Sequence, residues 1–196
     1  MDTVQTWQTA YRFYRIDRHT FTQRELKPAE RLIDMGGNEV LLPEDSRARL
    51  RNEFLTLQYL HQKTTIPVPR PIEYVVEDNI AILTTCSVAE PAIALSDHVE
   101  KDRESVIAKI GDLLISDIIP ALNEHTSHRL GGMDPDEQGL LLPPRLTYGN
   151  ERAWPRVTSS RPDFHLCHND LGQSNIFIDP TSHKILAIID WEYAGY

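Results

Sequence analysis

Cysteine is scarce in this chain of 196 residues: Cys86 and Cys167 are the two, far apart. A metal-type CxxC pair is therefore excluded, and free thiols in a reducing, cytoplasmic compartment are expected. Long apolar runs are also lacking, and no window has the length and hydropathy to span a bilayer. The opening stretch, MDTVQTWQTAYRFYRIDRH, has no apolar core, which argues against a secretory signal. Positive charge is in deficit, with 20 Lys and Arg against 29 Asp and Glu, for a net charge of −9. Nucleic acid and anionic membranes are thus poor partners, whereas a cationic small molecule suits the balance. No internal repeat is present. Apolar residues make up 40 % and charged residues 25 %, ordinary for a globular chain long enough for one core or two small lobes.

Within residues 4–16, Trp7, Tyr11 and Tyr14 recur at helical spacing and predict an amphipathic helix. LIDMGGNEVLLP sets Gly36 and Gly37 between two apolar runs, the pattern of a hairpin ending in a strand over 39–42. Pro43 stops that strand, Asp45 or Ser46 can cap a helix, and Leu50, Phe54, Leu57 and Leu60 carry it to about residue 62. IEYVVEDNIAILTT reads as two strands joined at Glu77-Asp78-Asn79. After Thr85 the composition changes. ALSDHVEKD and ESVIAKIGDLLISDIIPALNEH read as helices, the second with Val106, Ile110, Ile118 and Leu122 on a buried side and Pro120 placed to kink or end it. Residues 126–163, with many Gly, Pro and Ser, read as a long irregular insertion. Then come a strand FHLC, the loop HNDLGQSN, a strand IFID, the turn PTSHK and a strand ILAIID.

The loop carries the chemistry. Phosphoryl transfer needs a carboxylate to take or orient the proton of the attacking hydroxyl. It also needs an amide oxygen and a second carboxylate to hold Mg²⁺, which prefers hard oxygen ligands. Asp170 lies just after a strand, Asn175 stands at the far end of its loop, and Asp190 ends ILAIID. A hairpin of 176–178 with 185–189 brings Asn175 and Asp190 near each other, because one starts the first strand and the other ends its antiparallel partner. The competing reading is a polar loop whose side chains cap backbone groups. HLCH, residues 165–168, suggests zinc or Cys–His chemistry, but no second Cys pair or Glu-bearing motif supports it, and Cys167 is expected in a core strand.

His168-x-Asp170-x-x-x-x-Asn175, followed by Ile189-Asp190-Trp191-Glu192, resembles the aminoglycoside phosphotransferase family of the protein-kinase-like fold, above all its fungal members. The kinase catalytic loop has the same offsets, and RLRNEFLTLQYL with IPVPRPIEY looks like the family's small-lobe helix and following strand. The resemblance covers about residues 30–196. It implies an α+β fold of two lobes: a small antiparallel-sheet lobe over 1–85 and part of a mainly helical lobe over 86–196, without the family's closing helices. It implies an ATP-dependent small-molecule kinase using ATP and Mg²⁺, with a hydroxyl-bearing acceptor. Asp170 would be the catalytic base, His168 the brace of the loop, and Asn175 and Asp190 the Mg²⁺ ligands. Glu53 would pair with the phosphate-binding lysine, and Thr84, Thr85 and Cys86 would form the hinge that meets adenine. That lysine belongs on the strand before the Glu53 helix, yet NEVLLP has none, and no Lys or Arg occurs between Arg31 and Arg47. Lys27 or Arg31 reaches in only if the strand lies elsewhere. The alternative implied by the missing lysine is a catalytically impaired, pseudokinase-like binding or scaffold protein.

Overall fold

The computed structural model describes residues 4–43, 45–99, 101–136, 141–143 and 157–196. Residues 4–16 form two strands rather than the expected helix. β1 (Gln5–Gln8) and β2 (Arg12–Ile16) pair antiparallel with Trp7 opposite Tyr14. The spacing that imitates a helix is that of a cross-strand pair around a short turn, and the rings stack at 5.2 Å. Phe21, on β3 (Thr20–Glu25), extends the row at 6.0 Å from Tyr14. Aromatic side chains gain more on a pleated surface with such neighbours than on an exposed helix. The Thr9 hydroxyl closes the turn by accepting the Arg12 N–H at 3.2 Å.

β4 (Pro71–Glu77) and β5 (Ile80–Cys86) complete an antiparallel sheet of order β1-β2-β3-β5-β4. Asp78 and Asn79 both adopt positive φ, as a two-residue hairpin turn requires, where sequence placed it. The expected strand over 39–42 is absent. Only an isolated bridge, Ile33 to Glu39, forms there. The Asp34 carboxylate draws in the N–H groups of Gly36 and Asn38 at 2.8 and 2.9 Å, a local alternative to a ladder. The strand that precedes the helix is therefore β3, well upstream.

The helix α1 (Ser46–Lys63) matches expectation to within a residue. Its first half packs Leu50 and Phe54 against Tyr74, Ala81 and Leu83 of the sheet. Its second half sends Leu57 and Leu60 into the main core with Val106, Ile110, Ile176, Ile188 and Trp191. One helix thus closes two cores.

Beyond the sheet, ALSDHVEKD yields a single 3-10 turn at Leu95–Asp97 instead of a helix. The next helix is interrupted. α2 (Arg103–Leu113) runs into a π-helical turn, Leu114–Ile118, and then α3 (Ile119–Asn123). Pro120 lacks an N–H and crowds the carbonyl one turn back, so the ladder slips just before it. β6 (Ile93–Ala94), β7 (Thr126–Ser127), β8 (Phe164–His165), β9 (Ile176–Ile178) and β10 (Ile185–Ile188) are short. β9 is central in the sheet β10-β9-β6, and β7 pairs with β8. FHLC is thus a two-residue strand, and Cys167 is exposed rather than in the core. Residues 137–140 and 144–156, within the expected insertion, lie outside the described residues. Among the described residues, no helix is long and apolar enough to cross a membrane.

Candidate active site

The β9–β10 hairpin sets the geometry. Ile176 pairs with Ile188, and the Ile189 N–H donates to the Asn175 carbonyl at 2.9 Å. Asn175 and Asp190 therefore flank the same end of the ladder, as the sequence predicted. Asn175 is 9 % exposed, and its Nδ2 donates to the Asp170 carbonyl at 2.9 Å. That bond commits the amide nitrogen and leaves Oδ1 as the acceptor end, a hard ligand of the kind Mg²⁺ takes.

His168 braces the loop from beneath. Its Nε2 lies 2.9 Å from the Ile189 carbonyl and so carries the proton, while Nδ1 accepts the Asp170 N–H at 3.2 Å. The ring sits 4.3 Å from that of Trp191, which is fully buried and donates Nε1–H to the Ile188 carbonyl at 2.8 Å. Asn169 and Asp190 adopt left-handed φ of 66° and 65°. Asn and Asp tolerate that region better than other side chains with a Cβ, and strained residues of this kind gather at working sites. Further on, Gly195 exchanges both backbone hydrogen bonds with Cys167, at 2.8 and 3.0 Å. A Cβ at Gly195 would lie 2.4 Å from the Gly131 carbonyl oxygen, so the approach admits only glycine.

The small lobe supplies the remaining charges. Glu53, buried on α1, receives a hydrogen bond from Gln23 Nε2 of β3 at 2.6 Å. Gln23 thus occupies the place opposite Glu53 that the resemblance gives to lysine. The strand does lie elsewhere than expected, but neither proposed substitute reaches in. Lys27 is exposed, and Arg31 pairs with Glu39 at 2.6 Å. Sequence reading missed two other cations. Arg12 of β2 bonds Ser46 through both terminal nitrogens and lies 3.7 Å from Glu192. Arg49 of α1 reaches Glu192 at 3.2 Å and the Tyr193 hydroxyl at 2.6 Å. The run TFTQREL, with its alternating β-formers, was the available signal for β3.

A cleft of about 570 Å³ lies between the sheet and the hairpin. Trp7, Tyr14 and Phe21 form an apolar wall, while Arg12, Arg49, Glu53 and Asp190 line the polar side. Thr85 and Cys86 also face the cleft. The Thr84 hydroxyl instead meets that of Thr22 on the neighbouring strand at 3.4 Å.

Carboxylates outnumber cations there, and proton affinities rise. Burial, then Asp190 and Glu192, lift Glu53 well above the carboxylate range. Burial, then Glu192 and Asp170, push Asp190 up to about 7. An unfolded Asp titrates near 3.8. Between these values the folded protein holds a proton that the unfolded chain has lost, so this group weakens folding progressively as pH rises across the window. The penalty is complete above pH 7 and absent below about pH 4. Asp190→Asn removes it. Its melting temperature is expected to exceed wild type at pH 8 and to match it at pH 4, by scanning calorimetry without Mg²⁺. An offset independent of pH would contradict this origin.

The two-lobed arrangement, a five-stranded sheet over a helix-bearing lobe with an H-x-D loop beside a hairpin-borne Asp, is the kinase-like architecture. Solved structures share the fold. Aminoglycoside-3'-phosphotransferase of type VIII aligns with a TM-score of 0.57 at 18 % identity, covering 98 % of this chain and 72 % of that one. A thermostable mutant of aminoglycoside phosphotransferase APH(4)-Ia aligns at 0.59 and 12 %, covering 98 % and 68 %. WbdD, crystallised with a kinase inhibitor, aligns at 0.53 and 18 % identity, covering 97 % of this chain and 32 % of its own. Residues 40–196 match the phosphotransferase enzyme family, known as APH, and the chain belongs to it. Among curated proteins, an aminoglycoside 3'-phosphotransferase of Streptomyces fradiae is 27 % identical over 166 residues, 76 % of this chain. The chain spans 60 % of that relative's length.

Proposed function

We propose that this chain forms the nucleotide cleft and catalytic loop of an ATP-dependent small-molecule phosphotransferase. The observation that carries the reading is the hairpin register, which puts Asn175 and Asp190 at one end of the ladder beside the Asp170 loop. The electrostatics fit a divalent cation. Burial, then the negative charges of Glu192 and Asp170, push the Asp190 carboxyl up to about 7, and Mg²⁺ would favour its ionised form.

In this reading the two lobes meet near residues 85 and 86. Adenine sits against the apolar wall, with the backbone of Thr85 and Cys86 at its edge. Bound MgATP supplies the transferable phosphoryl group and neutralises the charge that develops on it. Asn175 and Asp190 would hold the cation, and Asp170 would accept the proton of the acceptor hydroxyl as its oxygen bonds the γ-phosphorus and the bond to ADP, the leaving group, breaks. Arg12 and Arg49 provide the positive charge on the cleft wall that Gln23 does not. The acidic surface suits a cationic acceptor. The relative from Streptomyces fradiae is named for an aminoglycoside, and such amino sugars are the first acceptors to try.

Thermal shift with ATP tests the reading. Millimolar ATP with Mg²⁺ is expected to raise the melting temperature, and chelation or Asp190→Ala to remove the rise. Absence of any shift in the wild-type chain would refute the nucleotide site and favour the pseudokinase-like alternative.

A further inference from the structure

We propose that His98, Asp102 and His183 form a binding site for a divalent transition-metal ion of the zinc class, separate from the cleft. The inference does not rest on the phosphotransferase reading. His98 follows the 3-10 turn at Leu95–Asp97, Asp102 immediately precedes α2, and His183 lies in the turn between β9 and β10. Folding alone brings these segments together. One ligand atom from each residue lies within 4.8 Å of the other two. His98 Nε2 is 3.2 Å from Asp102 Oδ1, and His183 Nε2 is 3.8 Å from Oδ2.

Burial separates this cluster from an ordinary surface ion pair. His98 is 1 % exposed, and His183 Nε2 is shut off from solvent without a hydrogen-bond partner. A buried polar nitrogen left in that state is costly and calls for an explanation. An ion at the centre gives His183 Nε2 the partner it lacks and takes the place of the hydrogen bond that His98 Nε2 shares with Asp102 Oδ1. The imidazole planes stand at 76°, with centroids 5.3 Å apart, so the nitrogens approach one point without the rings stacking.

Two imidazoles and one carboxylate select for zinc, cobalt(II) or nickel(II), whereas Mg²⁺ and Ca²⁺ prefer oxygen throughout. Zinc bonds of about 2.0–2.1 Å set neighbouring ligand atoms roughly 3.4 Å apart in a tetrahedron. Binding would draw ligand atoms now within 4.8 Å of one another together to that spacing. The Asp102 side chain is 47 % exposed, which leaves the fourth position open to water. The ion would tie the β9–β10 turn to the start of α2, at the opposite end of the hairpin from Asn175 and Asp190.

The test is Co²⁺ titration of the tag-free full chain. One equivalent is expected to give the visible absorption of a four-coordinate ion, displaced by Zn²⁺ and unchanged in Asp190→Ala. His183→Ala is expected to lose the band, and to lose the rise in melting temperature that Zn²⁺ gives the wild type. Its melting temperature with chelator present should match wild type. Should that variant fail to fold, Asp102→Asn, which alters an exposed side chain, carries the same comparison. No band in the wild type, a band that survives these substitutions, or a band lost in Asp190→Ala would each overturn the site.

Discussion

Asp170→Asn is expected to lower the turnover of phosphoryl transfer by roughly 10²- to 10⁴-fold, the usual contribution of a positioned general base. The shift in melting temperature with MgATP should remain. The loop bonds described at Asp170 run through its backbone: its N–H donates to His168 Nδ1, and its carbonyl accepts from Asn175 Nδ2. Replacing the carboxylate by an amide of the same size leaves those backbone bonds in place, and the melting temperature without nucleotide reads any effect on the fold separately. Steady-state assays with an amino-sugar acceptor, alongside thermal shift, separate the two. Turnover within a few-fold of wild type would remove Asp170 from the role of base.

Gln23→Lys is expected to tighten MgATP binding by about tenfold or more, the effect of one charge-assisted hydrogen bond worth roughly 1.5–3 kcal/mol. Gln23 already meets Glu53 at 2.6 Å, so an ammonium placed there is within reach of the same carboxylate. Burial, then Asp190 and Glu192, raise the proton affinity of Glu53 well above the carboxylate range. A lysine opposite would favour its ionised form and would add a cation to the cleft wall. Calorimetric titration of wild type and variant measures the difference. Unchanged or weaker binding would show that Arg12 and Arg49 already fill the phosphate-facing role, or that the phosphates lie away from β3.

Much of the candidate site was legible because its signals are local. The offsets of His168, Asp170 and Asn175 are fixed by one loop, and the apolar runs IFID and ILAIID around the turn PTSHK mark the hairpin that brings Asp190 to Asn175. α1 was legible from the spacing of Leu50, Leu57 and Leu60, since a helix on a core must repeat near every third or fourth position. The small lobe was not. Trp7 and Tyr14 are seven residues apart, a distance that two helical turns and a cross-strand pair both satisfy, and only the β3 neighbour Phe21 decides between them. The separate reading of NEVLLP as the strand before α1 hid Gln23, which lies on β3. Arg12 and Arg49 acquire their meaning from Glu192, far along the chain, and no local pattern announces such a contact.

The anchoring of α1 has a mechanical consequence. Asn52 donates to the carbonyls of Glu192 and Ala194 at 3.0 and 2.8 Å and accepts the Met133 N–H at 2.7 Å. Arg49 holds Glu192 and Tyr193, while Leu50 and Phe54 of the same helix are seated in the sheet. The helix therefore acts as a rivet through both halves of the molecule rather than as part of either. Any force that spreads the two halves must shear these polar bonds together with the connector after β5, and so must act on the segment that carries Asp190.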